Sequence, residues 1–216
     1  MTNNPLMYHK QGWIEVICGC MFSGKTEELI RRVRTALIAK QKVQLFNSKI
    51  DTRYGIDSIT SHNQNKVAAT CVRHSSEILP LVEKNTHVVA IDEVNFFDKG
   101  IVDVCEKLAN QGKRVIVAGL DTDYRAEPFE VTAALLAKAE YVTKNLAVCT
   151  KCGNPASFTQ RTSKDTRRIV VGTTDAYQAR CRRCYKKPKA KKTENLLDGF
   201  LKKKIYFLKN KEKNNV

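Results

Sequence analysis

Gly19-Cys20-Met21-Phe22-Ser23-Gly24-Lys25-Thr26 fits the pattern G-x-x-x-x-G-K-[ST]. It follows an apolar run at residues 14–18 and opens a run of helix-compatible residues at 27–39. Strand, turn, helix is the context in which such an octet holds phosphate. Gly19 and Gly24 let the backbone turn sharply and aim successive N–H groups at phosphate oxygens. A helix beginning near Lys25 adds the positive end of its dipole. Lys25 is placed to neutralise β- and γ-phosphates, and the Thr26 hydroxyl to ligate Mg2+. The whole octet, with Cys20, Met21, Phe22 and Ser23, is the candidate ATP cradle.

A cradle of this kind wants an acidic residue at the end of another apolar strand. Val88-Val89-Ala90-Ile91-Asp92-Glu93 supplies it. Asp92 is the candidate for the Mg2+ side, directly or through water. Glu93, one residue on, can face the open side and act on an acceptor. Around these two sites the first 145 residues alternate strand-like segments (13–18, 43–47, 67–72, 87–91, 114–120) with helix-like ones (25–39, 75–83, 98–111, 131–139). That alternation predicts an α/β fold with a parallel sheet flanked by helices. The runs at 88–91 and 115–118 are continuously apolar, as strands covered on both faces should be.

Eight cysteines is a high count for a reducing compartment, and their spacing sorts them. Cys18, Cys20, Cys71 and Cys105 sit in or beside apolar runs, where a thiol serves as a small hydrophobe. The other four form Cys149-x-x-Cys152 and Cys181-x-x-Cys184, separated by 28 residues. Two such hooks let four thiolates close a tetrahedron around Zn2+, leaving no position open for water. The predicted zinc is therefore structural. Between and around the hooks lie Arg, Thr and short strand-like pieces (156–160, 169–171), which predict a small β module over residues 146–190.

The chain has 216 residues, room for one core and a small appendage. No stretch approaches the ~18 apolar residues a membrane span needs, and residues 1–10 lack the apolar block of a secretory signal. Both point to a cytoplasmic protein without a membrane partner. Net charge is +16, of which the 31 residues from 186 onward carry +8. That Lys-rich stretch, most of it in a tail at 191–216, reads as a solvated terminus or as a patch for a polyanion. A phosphate cradle, an acidic strand end and a zinc hook pair leave two classes open. One is a small-molecule kinase; the other is an ATP-driven nucleic-acid protein, which the small size and lack of a second motor domain disfavour.

Taken together, the motifs resemble the zinc-containing (type II) thymidine kinases. Those share M-F-S-G-K-[ST], present as residues 21–26, and D-x-R, here Asp51-Thr52-Arg53. Their D-E-x-Q-F segment is similar to Asp92-Glu93-Val94-Asn95-Phe96, with Asn95 in place of Gln. Their G-L-D, aromatic, P-F series is matched by Gly119-Leu120-Asp121, Tyr124 and Pro128-Phe129. The last signature resembles Val171-Gly172, Tyr177 and Cys181-Arg182-Arg183-Cys184-Tyr185. The resemblance runs in order over residues 10–187.

It implies a RecA-like P-loop domain over 1–145 and a zinc-ribbon-like β domain carrying a substrate-binding lasso loop. It implies transfer of the γ-phosphoryl of ATP to the 5′-hydroxyl of thymidine, giving thymidine monophosphate for DNA precursor salvage. By the same resemblance Glu93 is the catalytic base and Arg53 adds charge over the transferring group. Asp51, Thr52, Val94 and Asn95 join the nucleotide site. Met21, Leu120, Tyr124 and Phe129 wall in the base, with Tyr124 where Phe is usual. Thr159 lines the methyl pocket. Arg168, Ile169, Val170, Val171 and Gly172, with Tyr177, form the nucleoside loop, Arg168 standing where an aliphatic residue is usual. A homotetramer, feedback by thymidine triphosphate and no nucleic-acid partner are implied too.

Overall fold

A computed structural model of the chain describes residues 11–48, 58–60, 66–163, 165–168 and 176–188. Asp51, Thr52, Arg53, Ile169, Val170, Val171, Gly172 and the basic tail lie outside the described residues, as does the strand expected at 169–171.

The elements run β1 (Trp13–Gly19), α1 (Lys25–Ile38), β2 (Val43–Ser48), β3 (Ser58–Thr60), β4 (Lys66–Ala68) and β5 (Thr70–Val72). A 3-10 turn, Ser75–Glu77, leads into the single turn α2 (Ile78–Leu81). Then come β6 (Val88–Asp92), a 3-10 turn at Val94–Phe96, α3 (Gly100–Asn110), β7 (Arg114–Leu120) and α4 (Glu130–Lys138). The chain continues through β8 (Tyr141–Asn145), β9 (Ala147–Val148), β10 (Pro155–Ala156), β11 (Phe158–Arg161) and β12 (Tyr177–Arg180). Six strands form one sheet in the order β5-β2-β6-β7-β1-β8, every pairing parallel.

Successive side chains of a strand point to opposite faces, and here both faces are covered. Ile14, Val16, Cys18, Val89, Ile91, Val115 and Val117 pack with Ile101, Cys105 and Leu108 of α3 and Val131 and Leu135 of α4. Ile17, Val88, Ala90, Ile116 and Ala118 pack with Leu29, Ile30 and Val33 of α1. Cys18 and Cys105 serve as the core hydrophobes the sequence suggested; burial pushes the Cys105 thiol up to about 12.

Four elements differ from the sequence reading. The strand expected at 67–72 is two. β4 pairs antiparallel with β3, outside the main sheet, and only β5 joins β2, burying Val72. The helix expected at 75–83 stops at Leu81, because Gln44 of β2 captures the backbone at 81–83. Its amide Nε2 donates to the Leu81 carbonyl at 2.9 Å, and its Oε1 accepts the Glu83 N–H at 2.8 Å. β8 extends the sheet beside β1, although Tyr141 and Val142 are exposed and the segment carries no apolar pattern. β12, Tyr-Gln-Ala-Arg, pairs antiparallel with β11. No helix among the described residues is long and apolar enough to cross a membrane.

Candidate active site

At the end of β1 the chain passes under Asn145. Gly19 sits at φ 145°, and a Cβ there would stand 2.3 Å from the Asn145 carbonyl oxygen. The turn after β1 uses two further left-handed residues, Phe22 (φ 66°) and Gly24 (φ 75°). Inside it the Ser23 hydroxyl donates to the Cys20 carbonyl at 2.8 Å, and Lys25 Nζ donates to the same oxygen at 2.9 Å. α1 starts at Lys25 with no side-chain cap on its first amides. Uncapped first amides and an ammonium folded over the same turn are groups that stabilise an anion.

β6 brings the acidic strand end to this loop. Thr26 Oγ1 donates to Asp92 Oδ2 at 3.0 Å, and the Glu93 N–H donates to Asp92 Oδ1 at 2.9 Å. Asp92 is 4% exposed. Burial, then the charge of Glu93, pushes its carboxyl up to about 7, against the pull of those hydrogen bonds and Lys25. A hard divalent cation favours an ionised carboxylate beside a hydroxyl, so the donor set Thr26 and Asp92 fits Mg2+. Glu93 itself is left-handed at φ 50°, ψ 41°, a conformation that costs a non-glycine residue on the order of 1 kcal/mol and concentrates at functional sites.

Val94 and Asn95, expected among nucleotide contacts, pack under the end of β7. Asn95 Oδ1 accepts the Leu120 N–H at 2.7 Å, and a Cβ on Gly119 would stand 2.8 Å from Val94 Cγ1. Their role is to join the tips of β6 and β7. That role explains why Gly119 precedes Leu120.

The cysteine-bearing β pairs dock directly on the phosphate loop. The Met21 N–H donates to Thr159 Oγ1 at 3.0 Å, and Cys20 Sγ donates to the Ala156 carbonyl at 3.4 Å. Cys20, Ala147, Cys149, Ala156, Ala179 and Cys181 form one buried cluster, against which Phe22 packs. Two knuckles of like geometry present the thiols. The Cys152 and Gly153 amides donate to the Cys149 carbonyl, and the Cys184 and Tyr185 amides to that of Cys181. All four Sγ atoms lie within 4.8 Å of one another, with 3.6 Å between Cys152 and Cys181. Zn–S bonds of ~2.3 Å place tetrahedral sulfurs ~3.8 Å apart, whereas a disulfide needs ~2.05 Å. The donor set fits a closed zinc site.

Tyr124 and Phe129, from the stretch after β7, are buried. The Tyr124 hydroxyl donates to the Thr166 carbonyl at 3.1 Å and accepts Arg125 Nε at 2.9 Å. Arg168 Nε donates to Asp123 Oδ2 at 3.0 Å, Nη2 donates to the Pro128 carbonyl at 2.8 Å, and the guanidinium lies 5.1 Å from the Phe129 ring centroid. Tyr124 and Arg168, two of the residues that depart from the family pattern, thus tie residues 166–168 to residues 123–129. Arg161 and Asp123, which no motif singled out, are the missed members of this assembly. Burial of an Asp and an Arg at strand and loop ends is visible only in three dimensions.

A parallel sheet, an amide-lined loop opening a helix, and a buried carboxylate beside the loop's threonine define a P-loop phosphate-binding protein with an attached four-thiolate module. A family model described as Thymidine kinase matches residues 12–185. The chain is 51% identical over 185 residues to the thymidine kinase of Rhodothermus sp. (strain ITI 518), covering 86% of each chain. It is 50% identical over 178 residues to that of Bdellovibrio bacteriovorus, covering 82% of this chain and 87% of the relative. The chain belongs to the thymidine kinase family.

Proposed function

We propose that this chain transfers the γ-phosphoryl of ATP to the 5′-hydroxyl of thymidine. The observation that carries the reading is the Thr26–Asp92 hydrogen bond, which joins the phosphate loop to the acidic strand end with Glu93 next in sequence. Lys25 and the first amides of α1 bind and align the triphosphate, and alignment with charge compensation is most of what phosphoryl transfer requires. Thr26 and Asp92 would hold a Mg2+, which when bound would supply charge neutralisation at the phosphates. Glu93 accepts the 5′-hydroxyl proton as the O5′–phosphorus bond forms and the bond to the ADP oxygen breaks. Arg53 adds positive charge over the moving group, and Asp51 and Thr52 complete that side. Met21, Leu120, Tyr124, Phe129, Thr159 and Tyr177, with the segment 168–172, enclose the base. Cys149, Cys152, Cys181 and Cys184 would hold a Zn2+ that anchors both ends of the 28-residue loop between the two pairs, within a module spanning 146–190.

The family resemblance supports a homotetramer, inhibition by thymidine triphosphate and a cytoplasmic setting. The deciding experiment incubates the chain with labelled ATP, Mg2+ and each nucleoside in turn. Labelled thymidine monophosphate is the expected product. ATP turnover stimulated by single-stranded DNA, with no labelled monophosphate, would overturn the reading.

A further inference from the structure

Arg161 closes β11 and belongs to none of the motifs. It is 8% exposed, and none of its hydrogen bonds among the described residues goes to a carboxylate. Nη1 donates to the carbonyl of Asp165 at 3.0 Å and to that of Arg167. Nη2 donates to the carbonyl of Arg168 at 3.1 Å and to the Tyr177 hydroxyl at 2.6 Å. The guanidinium lies 3.7 Å from the Tyr124 ring centroid and 5.1 Å from that of Tyr177.

A buried cation with no counter-charge hydrogen-bonded to it is costly, so its partners must compensate. They are three carbonyls of a stretch with no helix or strand to satisfy them, two aromatic rings and, through space, the Asp165 carboxylate. A planar fork reaches such a set; a single ammonium cannot hold three divergent carbonyls and stack on a ring as well. Thr159, two residues earlier on β11, lies on the same buried side of the strand. Arg161 therefore touches Tyr124, Arg168 and Tyr177 and stands beside Thr159, four residues placed above around the base.

We propose that Arg161 is the positioning residue of the nucleoside site: it presets residues 165–168 and the Tyr124 and Tyr177 rings as the surface that receives the pyrimidine. The proposal rests on the nucleoside placement given under Proposed function. Arg161 touches no reacting atom, so its effect falls on nucleoside binding and spares the triphosphate.

The test is Arg161→Lys, which keeps the charge and removes the fork. Hydrogen exchange of the unliganded full chain and steady-state kinetics are read together. Faster exchange of the 165–168 amides is expected, with a thymidine KM raised about tenfold and an ATP KM within about twofold of the parent. Unchanged exchange would overturn the clamp. Faster exchange with an unchanged thymidine KM would overturn the nucleoside placement at this surface, and the positioning role with it. Both KM values rising together with a lowered melting temperature would mean a structural role only. Should Arg161→Lys not fold, Tyr177→Phe removes one bond of the fork and keeps the ring; the same split between exchange and the two KM values decides.

Discussion

Glu93 combines three properties at one position: a left-handed backbone, an amide bound to Asp92, and a place one residue beyond the carboxylate that faces Thr26. Replacing it with Gln keeps the size and removes the basic oxygen. Glu93→Gln is expected to lower kcat by roughly 10²–10⁴ while fluorescent ATP analogues still bind with near-parent affinity. Unaltered turnover would remove Glu93 from proton transfer. Gly19 makes an equally local claim. Its φ of 145° and the 2.3 Å approach to the Asn145 carbonyl leave no room for a Cβ. Gly19→Ala should destabilise the fold by on the order of 3 kcal/mol and weaken ATP binding, read by thermal melting with and without nucleotide.

Among elements, α1 packs on the sheet through Leu29, Ile30 and Val33, and one arginine adds polar ties to it. Arg32 Nη1 donates to Glu15 of β1 at 2.6 Å, Nε to Glu28 at 2.8 Å, and Nη2 to Thr143 of β8 at 2.8 Å. Burial pulls Glu15 upward, but hydrogen bonds from Arg114, Trp13 and Arg32 hold its carboxyl below the usual range. Glu28, bonded first to Arg31 and then to Arg32, is held down to about 2 in spite of partial burial. A carboxylate whose folded value lies below its unfolded one contributes stability above pH ~4.5, and loses that contribution as pH falls toward ~2. Melting temperature should therefore drop through that window. Glu28→Gln should flatten the drop and cost at most about 1 kcal/mol near neutrality, because Arg31 is largely exposed and the pair is screened. Added salt should shrink the difference between the two proteins.

At the scale of the whole molecule, the phosphate loop and the thiolate module share one buried cluster, with Cys20 beside Cys149 and Cys181. The Met21–Thr159 hydrogen bond joins them again. A metal held at the four thiolates would thus order a surface on which the phosphate loop rests. Extraction by a strong chelator is expected to release one Zn2+ per chain, lower the melting temperature, and raise the ATP dissociation constant although no zinc ligand is in the cradle. Release of zinc with unchanged ATP affinity would show that the loop holds its shape unaided.

Sequence spacing alone determined the phosphate loop, the acidic strand end, the four-cysteine set and the parallel α/β class. Each is a local pattern: glycines at fixed offsets, thiols at fixed spacing, apolar runs whose period reports which faces are covered. The resemblance these motifs carry supplied the remaining site residues, and the structure shows Val94 and Asn95 among them packed against the tip of β7. Tertiary structure alone decided the rest, because those features depend on partners far along the chain. β8 is a strand only through its pairing with β1, the run at 67–72 divides because its two halves find different neighbours, and Gln44 ends α2 from another strand. Arg161 acquired its place in the same way. A buried guanidinium is stable only where carbonyls and rings converge on it, and that convergence is a property of the folded chain.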